Sequence, residues 1–316
     1  MTCSNLCSIV VPCFNEEANV EYFHEVLTSV IDGLDFRSEI IFVDDGSSDH
    51  TCEIIRALAQ KDDRVKLLQF SRNFGSHAAL SAGLHWAAGD FAIMISVDLQ
   101  DPPDLIPDLV ERWRDGFHVV WAVRQSRDDP LLTKILASAF YGLLRRIGLP
   151  NYPASGMDFG LVDRRVLDAF RKFHELNHLV TGMIVWLGFR QTQVHYNRKG
   201  RHSGASKWSL AKRIKKAVDG IVSFSYLPIR ITSYVGITVC LTSFLYGLFI
   251  FIRRLFFGLG ETGWPSVMVA VLFLGGIQMI TLGILGEYLW RGMEQAKKRP
   301  MYVIMEQLGF DKEYSK

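Results

Sequence analysis

The stretch Ser8-Ile-Val-Val-Pro-Cys-Phe-Asn-Glu-Glu-Ala-Asn-Val-Glu-Tyr-Phe-His-Glu-Val-Leu-Thr-Ser-Val-Ile-Asp-Gly-Leu34 reads in three parts. Ser8 to Val11 is a short β-branched run, the signature of a buried strand. A polar break follows, and from Ala18 to Leu34 apolar residues recur at spacings of three and four, which predicts a helix. The same unit repeats along the chain. Strands are expected at Glu39 to Val43, Val65 to Phe70, Phe91 to Val97 and His118 to Val123, with helices at Thr51 to Gln60, Ser76 to Ala88 and Asp104 to Arg114. Repeated βα units predict an α/β domain: a mostly parallel, Rossmann-like sheet with helices on both faces and ligands at the carboxyl ends of its strands.

Those strand ends are strongly polar. After the first comes Pro12-Cys-Phe-Asn15-Glu16-Glu17; after the second, Asp44-Asp45-Gly46-Ser47-Ser48-Asp49; after the third, Ser71-Arg72-Asn73-Phe74-Gly75; after the fourth, Asp98-Leu99-Gln100-Asp101-Pro102-Pro103. Some of these groups suit helix capping: Ser47, Ser48 or Asp49 ahead of Thr51, and Asp101 ahead of the two prolines. Asp98 and Gln100, two residues apart, offer oxygen ligands suited to a hard cation such as Mg²⁺ or Mn²⁺. One carboxylate and one amide make a poor cage alone, so the cation is expected to be carried largely by a diphosphate whose leaving charge it neutralises. No G-x-x-x-x-G-K-[ST] occurs, which disfavours a Walker-type nucleotidase. Gly258-Leu-Gly260-Glu-Thr-Gly263 matches the dinucleotide fingerprint but follows no strand, and is taken as chance.

The chain of 316 residues is 49% hydrophobic and 22% charged, with a net charge of +2 and a mean hydropathy of +0.14. Disorder is excluded, and the near-neutral charge argues against a nucleic-acid partner. The five cysteines are odd in number and form no C-x-x-C pair. Neither a disulfide framework nor a zinc site is indicated, which suits a reducing compartment. The opening residues lack the basic region and cleavage site of a signal peptide, so the first domain is expected in the cytoplasm.

The apolar excess is localised. Between Arg230 and Arg253 lie 22 uncharged residues, and between Glu261 and Glu287 lie 25 more. As a helix the first would extend roughly 33 Å, enough to cross a bilayer. Residues 197–230 carry nine Lys or Arg and residues 291–299 four, against Arg253 and Arg254 in the connecting loop. The basic bias predicts a multi-pass membrane hairpin with both termini cytoplasmic. Leu210, Ile214, Val218 and Ile221 recur at helical spacing among Lys212, Arg213, Lys215 and Lys216, as in a helix lying on an anionic lipid surface. The expected division is a catalytic domain at 1–207, amphipathic surface helices at 208–230, transmembrane helices at 231–252 and 264–286, and a cytoplasmic tail at 287–316. Gly and Ser in the spans permit close helix packing, compatible with a homo-oligomer.

VPCFNEE, VDDGSSD, DLQDPP and Arg201-His-Ser-Gly-Ala-Ser-Lys207, in this order, resemble the polyprenyl-phosphate branch of the family 2, GT-A fold glycosyltransferases. This branch includes dolichyl-phosphate mannose synthase and bacterial undecaprenyl-phosphate glucosyltransferases, and the resemblance spans nearly the whole chain. It implies that Pro12, Asn15, Glu16 and Asp45 hold the nucleotide base and ribose, with Ser71 and Asn73 counted beside them. It implies that Asp98 and Gln100 hold metal and diphosphate, and that Arg124 is a basic residue near the phosphates. Asp158, in Ser155-Gly-Met-Asp158-Phe-Gly160, matches an acidic residue near the acceptor, serving to orient cations or as a partial base. Two positions depart from the pattern: Ser96 stands where many relatives have Asp, and His77 where relatives often have Lys.

The implied reaction moves a hexose, glucose foremost, from a UDP-sugar to undecaprenyl phosphate with inversion. A lipid phosphate has a second pKa near 6, so its attacking oxygen is largely ionised at neutral pH and needs cations more than a base. Lys134, Arg145, Arg201, Ser203 and Lys207 are the candidates to clamp it. Two spans are too few for a flippase, so a separate flippase and a downstream glycosyltransferase are expected. Another nucleotide-sugar donor such as GDP-mannose is the alternative within the class, and an inactive, membrane-tethered sugar-nucleotide binder the alternative outside it. A processive synthase is disfavoured, because the Arg112-Trp113 pair has Leu109 where Q-x-x-R-W needs Gln.

Overall fold

The computed structural model describes residues 5–124, 159–173, 179–196, 227–257 and 263–310, with isolated positions 142, 145, 146, 152, 153, 157 and 175. They form two units: the first holds residues 1–220 together with 300–316, the second residues 221–299.

The first unit is built on β1 (Leu6–Cys13), α1 (Val20–Ile31), β2 (Arg37–Asp44), α2 (Thr51–Lys61), β3 (Val65–Phe70), α3 (Ser76–Trp86), β4 (Phe91–Met94), α4 (Ile106–Arg114) and β5 (Val119–Arg124). Then come β6 (Phe159–Asp163), α5 (Arg164–Phe170), α6 (Val180–Trp186) and β7 (Gln191–Tyr196). Beyond the second unit, Ile304–Leu308 adds β8. The eight strands are ordered β7-β5-β6-β4-β1-β2-β3-β8. β1 pairs in parallel with both β2 and β4, and β2 with β3. β6 runs antiparallel to both β4 and β5, so β5 and its parallel neighbour β7 share the direction of β1. Five strand ends that carry candidate residues therefore face one edge of the sheet. Chain order reverses around β1, which lies between β4 and β2, and such a switch point opens a ligand crevice.

Burial explains why these residues make these elements. Ile9, Val10 and Val11 are all fully buried because helices cover both faces of the sheet, which is why β1 reads as a continuous apolar run. α1 turns Val20, Phe23, Leu27 and Ile31 inward; burying Phe23 alone contributes about 2–3 kcal/mol. α3 approaches β1 so closely that a Cβ on Gly83 would lie 2.2 Å from Val10 Cγ1. Small residues on this face are what let the helix sit against the strand.

Three strands were not anticipated. β6 is five residues long and inserts between β4 and β5, antiparallel to both. β7, QTQVHY, is a largely polar edge strand. β8 lies within the stretch read as a tail, and it caps the opposite edge of the sheet antiparallel to β3. β4 leaves the ladder at Met94, earlier than expected, although Ile95 N–H still donates to Val10 C=O at 3.1 Å.

The second unit comprises α7 (Leu227–Phe257) and α8 (Trp264–Ala296), of 31 and 33 residues, which contact each other. Both are long and apolar enough to cross a membrane, over Ile229–Phe249 and Phe273–Ala296. The helices overrun the expected spans 231–252 and 264–286. In α8 the overrun carries Glu287 and Arg291, an i,i+4 ion pair at 2.8 Å.

Candidate active site

The loops after β1 and β2 are bound to each other. Asn15 adopts a left-handed conformation, φ 52°; its N–H donates to Ser47 Oγ at 2.8 Å, and its Oδ1 accepts the Ser48 N–H at 2.8 Å. Glu16 N–H donates to Thr51 Oγ1 at 2.9 Å, and Glu16 Oε2 accepts from Asn19 Nδ2 at 2.6 Å. Glu17 Oε2 accepts the His50 N–H at 3.0 Å. Asp49 Oδ1 accepts from the Thr51 amide and hydroxyl at 3.1 and 2.5 Å, taking up a helix-start amide as expected. Burial pushes the Asp49 carboxyl up, but these hydrogen bonds outweigh it and hold the pKa below its ordinary value.

Asp45 fastens the loop after β2 to the loop after β3. It is 4% exposed, and its carboxylate accepts from Phe74 N–H at 2.7 Å and from Gly75 N–H at 3.1 and 2.9 Å. A carboxylate has about four acceptor positions, so capacity remains for a further donor. Burial raises the Asp45 pKa; the two amides oppose it, and neighbouring Asp44 adds to it. Gly46 makes the join possible. Its φ is +71°, and a Cβ there would lie 2.4 Å from the Arg72 carbonyl carbon. Ser71 and Asn73, on the far side of this join, are exposed.

Asp98 follows β4 and is 6% exposed; its Oδ1 accepts the Gln100 N–H at 3.2 Å across Leu99, whose φ is 54°. Asp101, expected as a helix cap, has another partner: its Oδ1 accepts the Tyr196 hydroxyl at 2.5 Å, with the two residues 2% and 5% exposed. The short helix beginning at Pro103 has no side-chain cap. The reason is tertiary, because β7 delivers Tyr196 beneath the loop. Arg124 ends β5 beside Tyr196 in the ladder. Among the described residues, no three His, Cys, Asp or Glu gather as a self-sufficient metal cage. The oxygen chemistry of Asp98 and Gln100 fits a hard divalent cation that takes its remaining ligands from a diphosphate and water.

The sheet edge therefore brings together Pro12, Asn15, Glu16, Asp45, Ser71, Asn73, Asp98, Gln100 and Arg124. The sequence pattern described as glycosyl transferase family 2 matches residues 8–179. The chain belongs to glycosyl transferase family 2. As a family member it is a glycosyltransferase of the GT-A fold. It is 42% identical over 298 residues to the bactoprenol glucosyl transferase of Shigella phage SfV, covering 94% of this chain and 97% of that one. It is 40% identical over 305 residues to an uncharacterized glycosyltransferase of Synechocystis, covering 96% of both. Among solved structures, glucosyl-3-phosphoglycerate synthase from Mycobacterium tuberculosis with Mn²⁺, UDP-glucose and phosphoglyceric acid is similar at 21% identity and a TM-score of 0.49, over 69% of this chain and 78% of that one.

Of the other residues singled out, Arg145 is helical and exposed. Lys134, Asp158, Arg201, Ser203, Lys207 and Gly258 to Gly260 lie outside the described residues. Two residues that motif reading passed over stand beside the candidate residues. Thr51 and Tyr196 make decisive contacts to Glu16 and Asp101. Thr51 was legible as a helix start, whereas Tyr196 carried no local signal.

Proposed function

We propose that this glycosyltransferase moves a hexose, glucose foremost, from a UDP-sugar to a polyprenyl phosphate of the undecaprenyl type, with inversion. The observation that carries the reading is similarity to bactoprenol glucosyl transferases over 94% of the chain, α7 and α8 included. The donor side agrees with it: a pre-tied pair of acidic and amide loops suits a nucleoside, and an oxygen donor pair at the switch point suits a metal-bound diphosphate.

In this reading Asn15, Glu16 and Asp45 hold the nucleoside. The cross-ties among their loops mean that little ordering remains to oppose binding. Asp98 and Gln100 would hold Mg²⁺ or Mn²⁺, which when bound supplies positive charge to the leaving diphosphate. Arg124 adds a fixed cation on the same side. A phosphate oxygen of the lipid attacks the anomeric carbon from the face opposite UDP; the new C–O bond forms as the bond to the β-phosphate breaks, and UDP leaves with the electron pair. Asp158 orients the basic clamp formed by Lys134, Arg145, Arg201, Ser203 and Lys207, with partial base character.

α7 and α8 anchor the enzyme in the inner membrane as a hairpin. Strand β8, which follows α8, pairs with β3, which precedes α7. That connectivity supports an even number of crossings, with the segments before α7 and after α8 on one side of the membrane; the basic residues flanking the spans favour the cytoplasmic side for the catalytic unit and both termini. The product then requires a flippase and a second glycosyltransferase.

Incubating the purified full chain with undecaprenyl phosphate, Mg²⁺ or Mn²⁺, and a panel of UDP- and GDP-sugars tests the reading by product mass. UDP-glucose is expected to yield a glucosylated lipid phosphate, and Asp98→Ala to lower the rate by on the order of 10²–10³-fold. Absence of glycolipid with every donor would overturn the proposal.

A further inference from the structure

The segment that emerges from α8 lies directly behind the nucleotide loop. β8 pairs antiparallel with β3, setting Leu308 opposite Leu67, Glu306 opposite Gln69 and Ile304 opposite Phe70, with a register shift between Gln69 and Phe70. Just before β8, Val303 C=O accepts the Ser71 N–H at 2.9 Å. The Tyr302 ring stacks on Phe70 with centroids 5.0 Å apart and planes 9° from parallel. Phe70 is 1% exposed and meets Phe74 edge-on at 5.8 Å. Phe74 in turn donates its N–H to Asp45 at 2.7 Å. Ring contacts thus lead from the C-terminal segment to Phe74, whose backbone amide meets the carboxylate at the nucleotide position.

The segment is held at two further points. Arg56 donates to both carboxylate oxygens of Glu306, at 3.2 and 2.6 Å, and to Gln69 Oε1 at 2.9 Å. Phe310 packs edge-on against Trp86 of α3 at 4.9 Å, with Lys66 Nζ 5.1 Å from its ring centroid. Burial raises the Tyr302 phenol pKa, with a hydrogen bond to Trp86 opposing the rise. The ring face is what Tyr302 offers Phe70.

We infer that Tyr302 is a positioning residue for the donor nucleotide, acting through Phe70 and Phe74 to hold the Ser71–Gly75 loop where its amides meet Asp45. The role rests on reading Asp45 as a nucleotide contact. It gives the stretch after the second membrane helix a part in donor binding, although that stretch contains no donor-site motif. The effect belongs to nucleotide affinity: the stack stands behind the loop, and the acceptor cations lie elsewhere in the chain.

Steady-state kinetics of the full chain in lipid nanodiscs, varying UDP-glucose and undecaprenyl phosphate separately, test it. Tyr302→Ala is expected to raise the KM for UDP-glucose about 3- to 10-fold, as loss of a stacked pair implies. Its kcat and its KM for the lipid are expected to stay within about twofold of wild type. Tyr302→Phe keeps the ring and is expected to retain the wild-type KM. Where Tyr302→Ala does not accumulate folded, Tyr302→Leu, which keeps apolar bulk without a ring face, is measured for the same change. An unchanged donor KM in the ring-less variant, or an equal loss toward both substrates, overturns the inference. Asp45→Asn separates the two readings: if it leaves donor KM unchanged, the nucleotide role of Asp45 fails. If it raises donor KM while Tyr302→Ala does not, only the positioning role fails.

Discussion

Phe23, Phe42 and Phe91 are wholly buried between the sheet and its helices, whereas Phe244 and Phe273, on α7 and α8, are 68% and 63% exposed. The same side chain takes opposite positions in the two units. In the catalytic unit apolar surface is removed from water by protein, with aromatic edges meeting at angles such as the 80° between Phe23 and Phe42. In the helical pair, among the described residues, the apolar side chains stand exposed, on helices long and apolar enough to cross a membrane. The contrast teaches that composition alone does not distinguish a core from a membrane span. Length, absence of charge and lack of covering elements do.

Three measurements break or sharpen this comparison. The largest effect is expected from Phe23→Ala, which empties part of the core. Chemical denaturation should show a loss of about 3–5 kcal/mol in the catalytic unit, while the protein stays in the membrane. Next is Phe244→Asp, where burial by protein is not at stake. Its cost is one of insertion, about 2.5–3.5 kcal/mol at a span centre, read as a shift of protein from the membrane pellet to the soluble fraction after alkaline extraction. Retention equal to wild type would mean that this face of α7 does not meet lipid.

The smallest effect concerns Asp62 on the surface of the catalytic unit. Burial pushes its carboxyl up, but hydrogen bonds from the Arg64 guanidinium and amide and from His24 outweigh this and hold the pKa at about 2. A folded-state pKa below the unfolded value near 3.9 stabilises the fold fully above that value. The contribution is lost as pH falls through about 2. Its size is on the order of 1 kcal/mol, given partial exposure. Thermal melts of wild type and Asp62→Asn should differ at pH 6 and converge toward pH 2; a constant difference would exclude the ion pair as the cause.

The strand-end residues proposed for the donor were legible because they sit in unbroken local signals. Each strand end from β1 to β4 is an apolar run meeting a polar loop, and such a junction is written within a few consecutive residues. β6, β7 and β8 were not legible, for different reasons. β6 is an antiparallel insertion outside the repeated parallel βα pattern, β7 is a polar edge strand, and β8 (IMEQL) follows a long apolar helix that dominates its neighbourhood. Asp101 is the instructive case. Its place before two prolines reads as a helix cap, and the structure gives its carboxylate to Tyr196 because a partner delivered by another strand competes with local capping.

By itself, the sequence determined the repeated βα units, the polar ends of four strands, the two apolar helices and the family to which those motifs belong. Each is a short-range pattern, carried by residues within one turn or one strand of each other. Only the tertiary structure decided the order of the strands around β1, the insertion of β6 and the return of the chain after α8 to the edge of β3. It also decided the Asp45–Phe74, Asp101–Tyr196 and Phe70–Tyr302 contacts. These depend on which surfaces meet when apolar area is buried jointly, and that choice is made by packing over the whole unit rather than by any local stretch.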